Sequence, residues 1–256
     1  MKDLFSVAGK VAVVTGGSRG IGLMIARGFV ENGVRVYISS RKADVCDQIA
    51  EELSAEGECV SLPADLSSME GIEALASAVA EREEKLHVLV NNAGAVWAEP
   101  IDDFAEKGWD KVVDLNLKAP FFLTQKLLPQ LRAAATPENP ARVIHVASID
   151  GLHVNPIDTY SYAASKSGLV HLTRAMARRL SQDDITVNAV APGPFESKMM
   201  EWTLDRFGEQ IRTSNPRKRI GTPEDMAGVA IYLASRAGAY VNGAVIPVDG
   251  GIVAVS

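Results

Sequence analysis

Tyr162 and Lys166, in the stretch Tyr162-Ala163-Ala164-Ser165-Lys166, are the residues of this chain best suited to proton chemistry. On a helix, residues four apart share one face, so the phenol and the ammonium can point into the same cleft. A free phenol titrates near pH ~10 and exchanges protons poorly at neutrality. A neighbouring cation favours the phenolate, so Lys166 is expected to lower the Tyr162 pKa toward working pH, as general acid–base catalysis requires. By itself the pair is also the pattern of an ordinary helix with a buried tyrosine and a solvated lysine. Its weight comes from its company: a glycine-rich stretch upstream, Ser148 and Asn116 between, and an apolar segment downstream.

The elements that must position these groups follow from the hydrophobic pattern. Val11-Ala12-Val13-Val14 is a continuous β-branched run, the pattern of a strand buried on both faces. It leads into Thr15-Gly16-Gly17-Ser18-Arg19-Gly20-Ile21-Gly22, and a helix is expected over 21–30, ending near Asn32-Gly33. Glycines at Gly16 and Gly20 let the backbone approach a pyrophosphate, with Ser18, Arg19 and Ile21 completing the turn. The helix amides and dipole then hold the anion. Strand, glycine loop, helix and second strand in succession make this a dinucleotide site.

The second strand, 35–40, ends at Ser40-Arg41-Lys42, with no carboxylate until Asp44. An acidic residue there would bind a free ribose 2′-hydroxyl. Ser40, Arg41 and the nearby Arg19 instead suit a 2′-phosphate, so the expected cofactor is NADP(H). The alternative is that Arg19 and Arg41 are solvent-facing charges at helix ends.

Further strands are expected over 59–62, 86–90, 142–146, 185–190 and 244–248, with helices at 43–55 and 72–85 and two helical stretches within 104–132. Asp65 follows the third strand at the ligand-binding edge of the sheet, or else caps the next helix. After the fourth strand, Asn91-Asn92-Ala93-Gly94 either admits a flat ligand or ties neighbouring strands together. Asn116 sits among apolar neighbours and must find hydrogen-bond partners; it either satisfies the helix backbone or holds a water in a proton path. Ser148 stands at the carboxyl end of the fifth strand. Strand six ends at Pro192-Gly193-Pro194, and Met199, Trp202 and Phe207 make residues 194–215 a substrate-covering segment in preference to core packing. Seven apolar runs alternating with helices predict one α/β domain, 1–256, with a doubly wound, Rossmann-type parallel sheet.

The chain of 256 residues carries a net charge of −6, which argues against a nucleic-acid or anionic-membrane binder. Its two cysteines, Cys46 and Cys59, have neither metal nor disulfide-framework spacing and suit a reducing compartment. His87, His145 and His153 lack ligand-spaced neighbours, so no metal is expected. The first nine residues are not a secretory signal, and no apolar run approaches the ~20 residues that span a bilayer. A cytoplasmic protein is the expectation.

Taken together, Thr15 to Gly22, Asn91-Asn92-Ala93-Gly94, Asn116, Ser148, Tyr162 with Lys166, Pro192-Gly193 and Asp249-Gly250-Gly251 resemble the short-chain dehydrogenase/reductase family over essentially the whole chain. Within it the chain is most similar to bacterial 3-oxoacyl-[acyl-carrier-protein] reductases. Asn139-Pro140-Ala141-Arg142-Val143-Ile144 and Leu4-Phe5-Ser6 look like the rhamnolipid-associated branch. The resemblance implies that Tyr162 exchanges a proton with the substrate oxygen and Ser148 positions that oxygen. It implies that Lys166 binds the nicotinamide ribose and lowers the Tyr162 pKa, and that Asn116 holds a water linking Lys166 to solvent. Asp65 and Leu66 would meet the adenine, Asn92 with Ala93 and Gly94 the adenosine-side ribose region, and Pro192, Gly193, Phe195 and Ser197 the nicotinamide end. Helices within 104–132 and 160–180 would pair subunits in a homotetramer.

Ala147 and Ser197 depart from the common family pattern, which has a second serine and a threonine there. Asp150, just past Ser148, puts a carboxylate beside the expected substrate cleft, where it disfavours an apolar head or hydrogen-bonds a hydroxyl. The expected activity is reduction of a 3-oxoacyl thioester carried on acyl-carrier protein or CoA, with Ser148, Asp150, Met199 and Trp202 near the substrate. Arg132 or Arg217-Lys218-Arg219 would dock the acidic carrier. Rival readings are a sugar, polyol or steroid-alcohol dehydrogenase and, from another class, a non-catalytic NADP(H)-sensing scaffold.

Overall fold

A computed structural model describes residues 2–198 and 200–255, with the Trp202 side chain outside the description. Seven parallel strands form one sheet in the order β3-β2-β1-β4-β5-β6-β7. They are β1 (Val11–Thr15), β2 (Arg35–Ser39), β3 (Cys59–Ser61), β4 (Val88–Asn91), β5 (Ala141–Val146), β6 (Ile185–Pro192) and β7 (Val245–Val248). The helices are α1 (Gly20–Glu31), α2 (Ala43–Leu53), α3 (Met69–Ala80), α4 (Glu106–Val113), α5 (Ala119–Lys126), α6 (Leu128–Ala134), α7 (Tyr160–Leu180), α8 (Glu201–Ser214), α9 (Pro223–Ala234) and α10 (Ile252–Val255).

The central strands β1, β4, β5 and β6 are buried at every position because helices cover the sheet on both faces, whereas the edge strands β3 and β7 are only partly covered. Strand side chains alternate between faces, so Ala12, Val14, Val36, Ile38 and Val90 join the core made with α1, α2 and α9. Val11, Val13, Tyr37, Leu89 and Val143 join the core on the opposite face, with α3, α5 and α7. Close helix packing over the first face depends on Gly28 of α1, where an added Cβ would lie 2.5 Å from the Ala227 Cβ of α9. The strand order reverses between β1 and β4, which opens a crevice at the carboxyl ends of the strands.

Two expected elements shift for local reasons. The helix anticipated over 72–85 begins at Met69, because the Ser68 side chain accepts the Gly71 N–H at 3.2 Å as an N-cap, and it ends at Ala80. Glu83 belongs instead to the sheet edge, where its carboxylate accepts from the Tyr37 hydroxyl at 2.7 Å and from Arg35 at 3.0 Å. The stretch 104–132 is α4, a π-helical turn Asp114–Lys118, α5 and α6. Among the described residues, no helix is long and apolar enough to cross a membrane and no group of three or more His, Cys, Asp or Glu side chains is arranged to hold a metal.

Candidate active site

At the mouth of the crevice, β1 gives way to the glycine loop. Gly16 and Gly20 adopt φ of +65° and +52°, a left-handed backbone that disfavours side chains. A Cβ on Gly16 would sit 2.7 Å from Asn92 Nδ2, and one on Gly22 would sit 2.3 Å from the Gly16 carbonyl oxygen. The loop is thereby folded tightly over the start of α1. That helix has no side-chain N-cap and no acidic residue in its first turn. Its leading amides and positive dipole end are left for an external anion, which is what a dinucleotide phosphate needs. Ser18 is buried and Ile21 packs on the core, while the Arg19 side chain is exposed.

Ser40 and Arg41 follow β2, and the Ala64 N–H donates to the Ser40 carbonyl at 3.1 Å, which joins the ends of β2 and β3. Neither the Arg19 nor the Arg41 guanidinium has a hydrogen-bond or ion-pair partner among the described residues. Both guanidinium groups are free to meet a phosphate. Asp65 accepts from the Ser67 N–H at 3.1 Å and the Ser67 hydroxyl at 2.8 Å, so its carboxylate shapes a turn at the sheet edge. Leu66 is buried in the core, leaving its backbone as the part within reach of a ligand.

The amides after β4 act as ties. Asn92 Nδ2 donates to the carbonyls of Thr15 at 2.8 Å and Gly16 at 3.2 Å. The Thr15 hydroxyl in turn accepts from the N–H groups of Asn92 and Ala93. Asn91 Nδ2 donates to the Thr124 hydroxyl at 3.2 Å. Of the two sequence readings, this strand-tying one describes the side chains. Thr15, to which the sequence reading assigned no role, is the hub that sets Asn92, Ala93 and the glycine loop together.

Asn116 lies in the π turn and is buried. Its Oδ1 accepts the Ala95 N–H at 2.8 Å, and its Nδ2 donates to the Ala95 carbonyl at 3.0 Å and to Ser165 Oγ at 3.1 Å. Three of the four hydrogen bonds open to its side chain are thereby used in fastening the segment after β4 to α7. Gly94 separates it from Lys166: a Cβ there would lie 3.2 Å from Asn116 Oδ1 and 3.8 Å from Lys166 Nζ.

Ser148, Tyr162 and Lys166 meet at the end of β5. The Ser148 hydroxyl accepts the Asp150 N–H at 3.1 Å and is hydrogen-bonded to Tyr162. Lys166 is buried, lies 5.6 Å from the Tyr162 ring centroid, and donates to the Val146 carbonyl at 2.7 Å. The expected lowering of the Tyr162 pKa by this cation is not found. Burial dominates and pushes the phenol up to about 12; the Ser148 hydrogen bond opposes the rise and the Asp150 charge adds to it. Burial also draws Lys166 down to about 8. Burial, with the Lys166 charge adding to it, holds His145 of β5 down to about 3, and it stays neutral.

Pro192 closes β6, and a Cβ on Gly193 would meet Asp249 Cα at 2.8 Å. Asp249 Oδ1 and Oδ2 accept the N–H groups of Gly251 and Val253, so the Asp249-Gly250-Gly251 turn buttresses Gly193. Phe195 is a core side chain, packed on Gly221, and offers a ligand only its backbone. Ser197 reaches back over the glycine loop, 3.2 Å from where a Gly20 Cβ would be. In the covering segment, the helical α8 buries only Gly208 fully among its described side chains, and Phe207 is 47% exposed. Beside it a cavity of about 450 Å³ is lined by Glu196, Ser197, Lys198, Glu201, Leu204, Asp205 and Arg212, a more charged wall than the apolar pattern implied. Met199 and the Trp202 side chain lie outside the described residues. Of the basic groups expected to dock a carrier, Arg132 is held by Asp183 at 3.0 Å and Arg219 by both oxygens of Asp225.

A doubly wound sheet with a glycine loop at its switch point and a Ser–Tyr–Lys cluster at the same edge defines a dinucleotide-binding oxidoreductase. A family model described as Enoyl-(Acyl carrier protein) reductase matches residues 16–253. The chain belongs to the short-chain dehydrogenase/reductase family. It is 46% identical over 253 residues, covering 98% of this chain and 99% of the relative, to the rhamnolipids biosynthesis 3-oxoacyl-[acyl-carrier-protein] reductase of Pseudomonas aeruginosa. It is 32% identical over 253 residues, 98% of this chain and 97% of the relative, to the gluconate 5-dehydrogenase of Gluconobacter oxydans. Its fold matches the Pseudomonas aeruginosa RhlG/NADP active-site complex with a TM-score of 0.95 and 46% identity, covering 99% of this chain and 100% of that one.

Proposed function

We propose that this chain is an NADPH-dependent reductase of 3-oxoacyl thioesters. The observation that carries the reading is the meeting of Ser148, Tyr162 and Lys166 at the crevice edge, in a chain 46% identical over its length to a reductase of that kind. The uncapped start of α1 would hold the cofactor pyrophosphate, with Arg19, Ser40 and Arg41 on the 2′-phosphate. Asp65 and the backbone of Leu66 would border the adenine; Asn92, Ala93 and Gly94 the adjoining ribose; Pro192, Gly193, Phe195 and Ser197 the nicotinamide end.

Bound NADPH supplies a hydride to the substrate carbonyl carbon. Tyr162 gives its proton to the carbonyl oxygen as charge develops there. Ser148, held by the Asp150 N–H and hydrogen-bonded to Tyr162, would turn its own proton to the same oxygen when substrate is bound. Two hydroxyl donors aimed at one oxygen suit a carbonyl becoming an alkoxide better than the carbon–carbon double bond named in the family description. Lys166 holds the nicotinamide ribose, and the Asn116 turn keeps the segment after β4 in place beside it.

Initial rates with acetoacetyl-CoA and either NADPH or NADH test the reading. Turnover with NADPH well above NADH is the expected outcome. The Asp150 and Asn155 side chains near Ser148, together with the likeness to a gluconate dehydrogenase, favour a second reading in which the substrate is a hydroxylated acid. Turnover of 5-ketogluconate with no turnover of any acyl thioester would install that reading instead.

We also propose a homotetramer. Ile101 is 69% exposed and Trp109 43%, and with Phe104 and Tyr160 they line an apolar hollow of about 420 Å³ beside α4 and α7. Light scattering after gel filtration should give four chains, and Trp109→Glu should lower that number. A monodisperse monomer would refute the assembly.

A further inference from the structure

Asp150 joins three parts of the site that no role in proton transfer yet accounts for. Its backbone N–H donates to Ser148 Oγ at 3.1 Å. Its carboxylate receives Asn155 Nδ2 at 3.2 Å on each oxygen, which fastens the loop after Ser148. The next residue, Gly151, packs so closely on α7 that a Cβ would lie 2.8 Å from the Lys166 carbonyl carbon. Asp150 forms no ion pair with lysine or arginine among the described residues, and its charge acts on both Tyr162 and Lys166.

We infer that Asp150 is a positioning residue: its backbone amide fixes the Ser148 hydroxyl, and its carboxylate, pinned by Asn155, sets a negative charge beside the Ser148, Tyr162 and Lys166 cluster. The site is thereby set to give a proton to a carbonyl rather than to take one from an alcohol. The inference rests on the proposed roles of Ser148, Tyr162 and Lys166.

The electrostatics run one way. A carboxylate opposes formation of a nearby phenolate and supports a nearby ammonium, so it strengthens proton binding at both groups. For Tyr162 this adds to the larger effect of burial; for Lys166 it works against burial. The groups that interact with Asp150 are Asn155 and His153 on the following loop and Tyr162 and Lys166 on α7, and neutral His145 on β5 feels the Lys166 charge. In reduction the Tyr162 proton passes to the carbonyl oxygen as hydride reaches the carbon, and in oxidation the phenolate takes that proton back. The overall equilibrium is untouched. What Asp150 sets is the pH at which each direction runs fastest.

The test compares Asp150→Asn and Asp150→Glu with the parent, following acetoacetyl-CoA reduction and 3-hydroxybutyryl-CoA oxidation from neutral to alkaline pH. Asparagine keeps the backbone N–H and the side-chain shape but removes the charge. The alkaline limb of reduction and the rise of oxidation should both move down by about one pH unit, and glutamate should restore them. A changed kcat with both limbs unmoved would overturn the inference, as would a shift that glutamate does not reverse. Should Asp150→Asn fail to fold, Asp150→Ser removes the charge while keeping the backbone N–H and should give the same shift; no shift there overturns the inference equally. Ultraviolet titration of the Tyr162 phenolate, taken as the difference from Tyr162→Phe, reads the same shift without turnover. Full activity in Tyr162→Phe would remove the underlying site reading. An inactive Tyr162→Phe with unmoved Asp150→Asn limbs would remove this inference alone.

Discussion

Tyr162 is a phenol in a site that makes it a reluctant anion. Burial holds its pKa high, and Ser148 is the hydrogen-bond partner that pulls the other way. Tyr162→Phe should lower kcat for acetoacetyl-CoA reduction by roughly 10²–10⁴-fold, the usual worth of a general acid, while NADPH fluorescence titration shows binding within a few-fold of the parent. Normal turnover in that variant would refute the assignment. The cofactor's phosphate end makes a separate residue-scale prediction. With the Arg19 and Arg41 guanidinium groups unpaired among the described residues, Arg41→Ala should weaken NADPH binding at least tenfold and leave NADH binding nearly unchanged, since a charge-assisted bond to phosphate contributes about 1.5–3 kcal/mol. Equal loss for both cofactors would place Arg41 away from the 2′-phosphate.

At the scale of elements, the π turn at Asp114–Lys118 deserves comparison with the glycine loop, because each fixes a chain crossing over the sheet edge. Asn116 makes three side-chain hydrogen bonds, two of them to the backbone of Ala95. Asn116→Ala strands these groups in a buried setting and should cost about 2–4 kcal/mol in urea unfolding. It should also reduce kcat, because Gly94 and Lys166 lose the support of the segment between β4 and α4. A loss below about 0.5 kcal/mol would mean that Ala95 finds water or another partner. The π turn carries Asn116, whose side chain faces Ala95 and Ser165.

For the whole molecule, the end of the sheet away from the site carries a buried electrostatic cost. Lys10 is 7% exposed, donates to Asn139 Oδ1 at 2.9 Å, and is lowered to about 8 by burial, with the Arg142 charge adding to the shift. Arg142 is itself buried against the carbonyls of Leu233, Ser235 and Pro140. Because the folded pKa lies below the unfolded value of 10.5, the folded protein holds fewer protons between about 8 and 10.5. Stability should therefore be lowest below pH 8 and rise as pH climbs through that window. Lys166, shifted in the same direction, contributes to the same rise. Lys10→Met should raise the melting temperature at pH 7 by roughly 2–6 °C and flatten part of the rise toward pH 9. A lowered melting temperature at pH 7 would show that the Asn139 hydrogen bond outweighs the buried charge.

The local pattern alone determined the seven strands, the helices that follow the first three of them and the glycine loop, while Ser148, Tyr162 and Lys166 were singled out by their resemblance to a family pattern. Strand burial and helical spacing are written in runs of a few residues, and a glycine loop between a strand and a helix has one common use. Tertiary structure decided what depends on residues far apart in the chain. The Tyr162 pKa rises because the fold buries the phenol, a fact the four-residue spacing to Lys166 does not contain. Asn92 could have admitted a ligand or tied strands, and Asn116 could have satisfied its own helix or held a water; the approach of Thr15 and of Ala95 gave their side chains the bonds they make. Leu66 and Phe195 turned into the core, and Arg132 and Arg219 found carboxylates, because side-chain direction and ion pairing are set by packing rather than by residue type. The setting of Asp150 between Ser148 and α7 belongs to the same class: a carboxylate is visible in the sequence, but the groups that feel its charge are brought to it only by the fold.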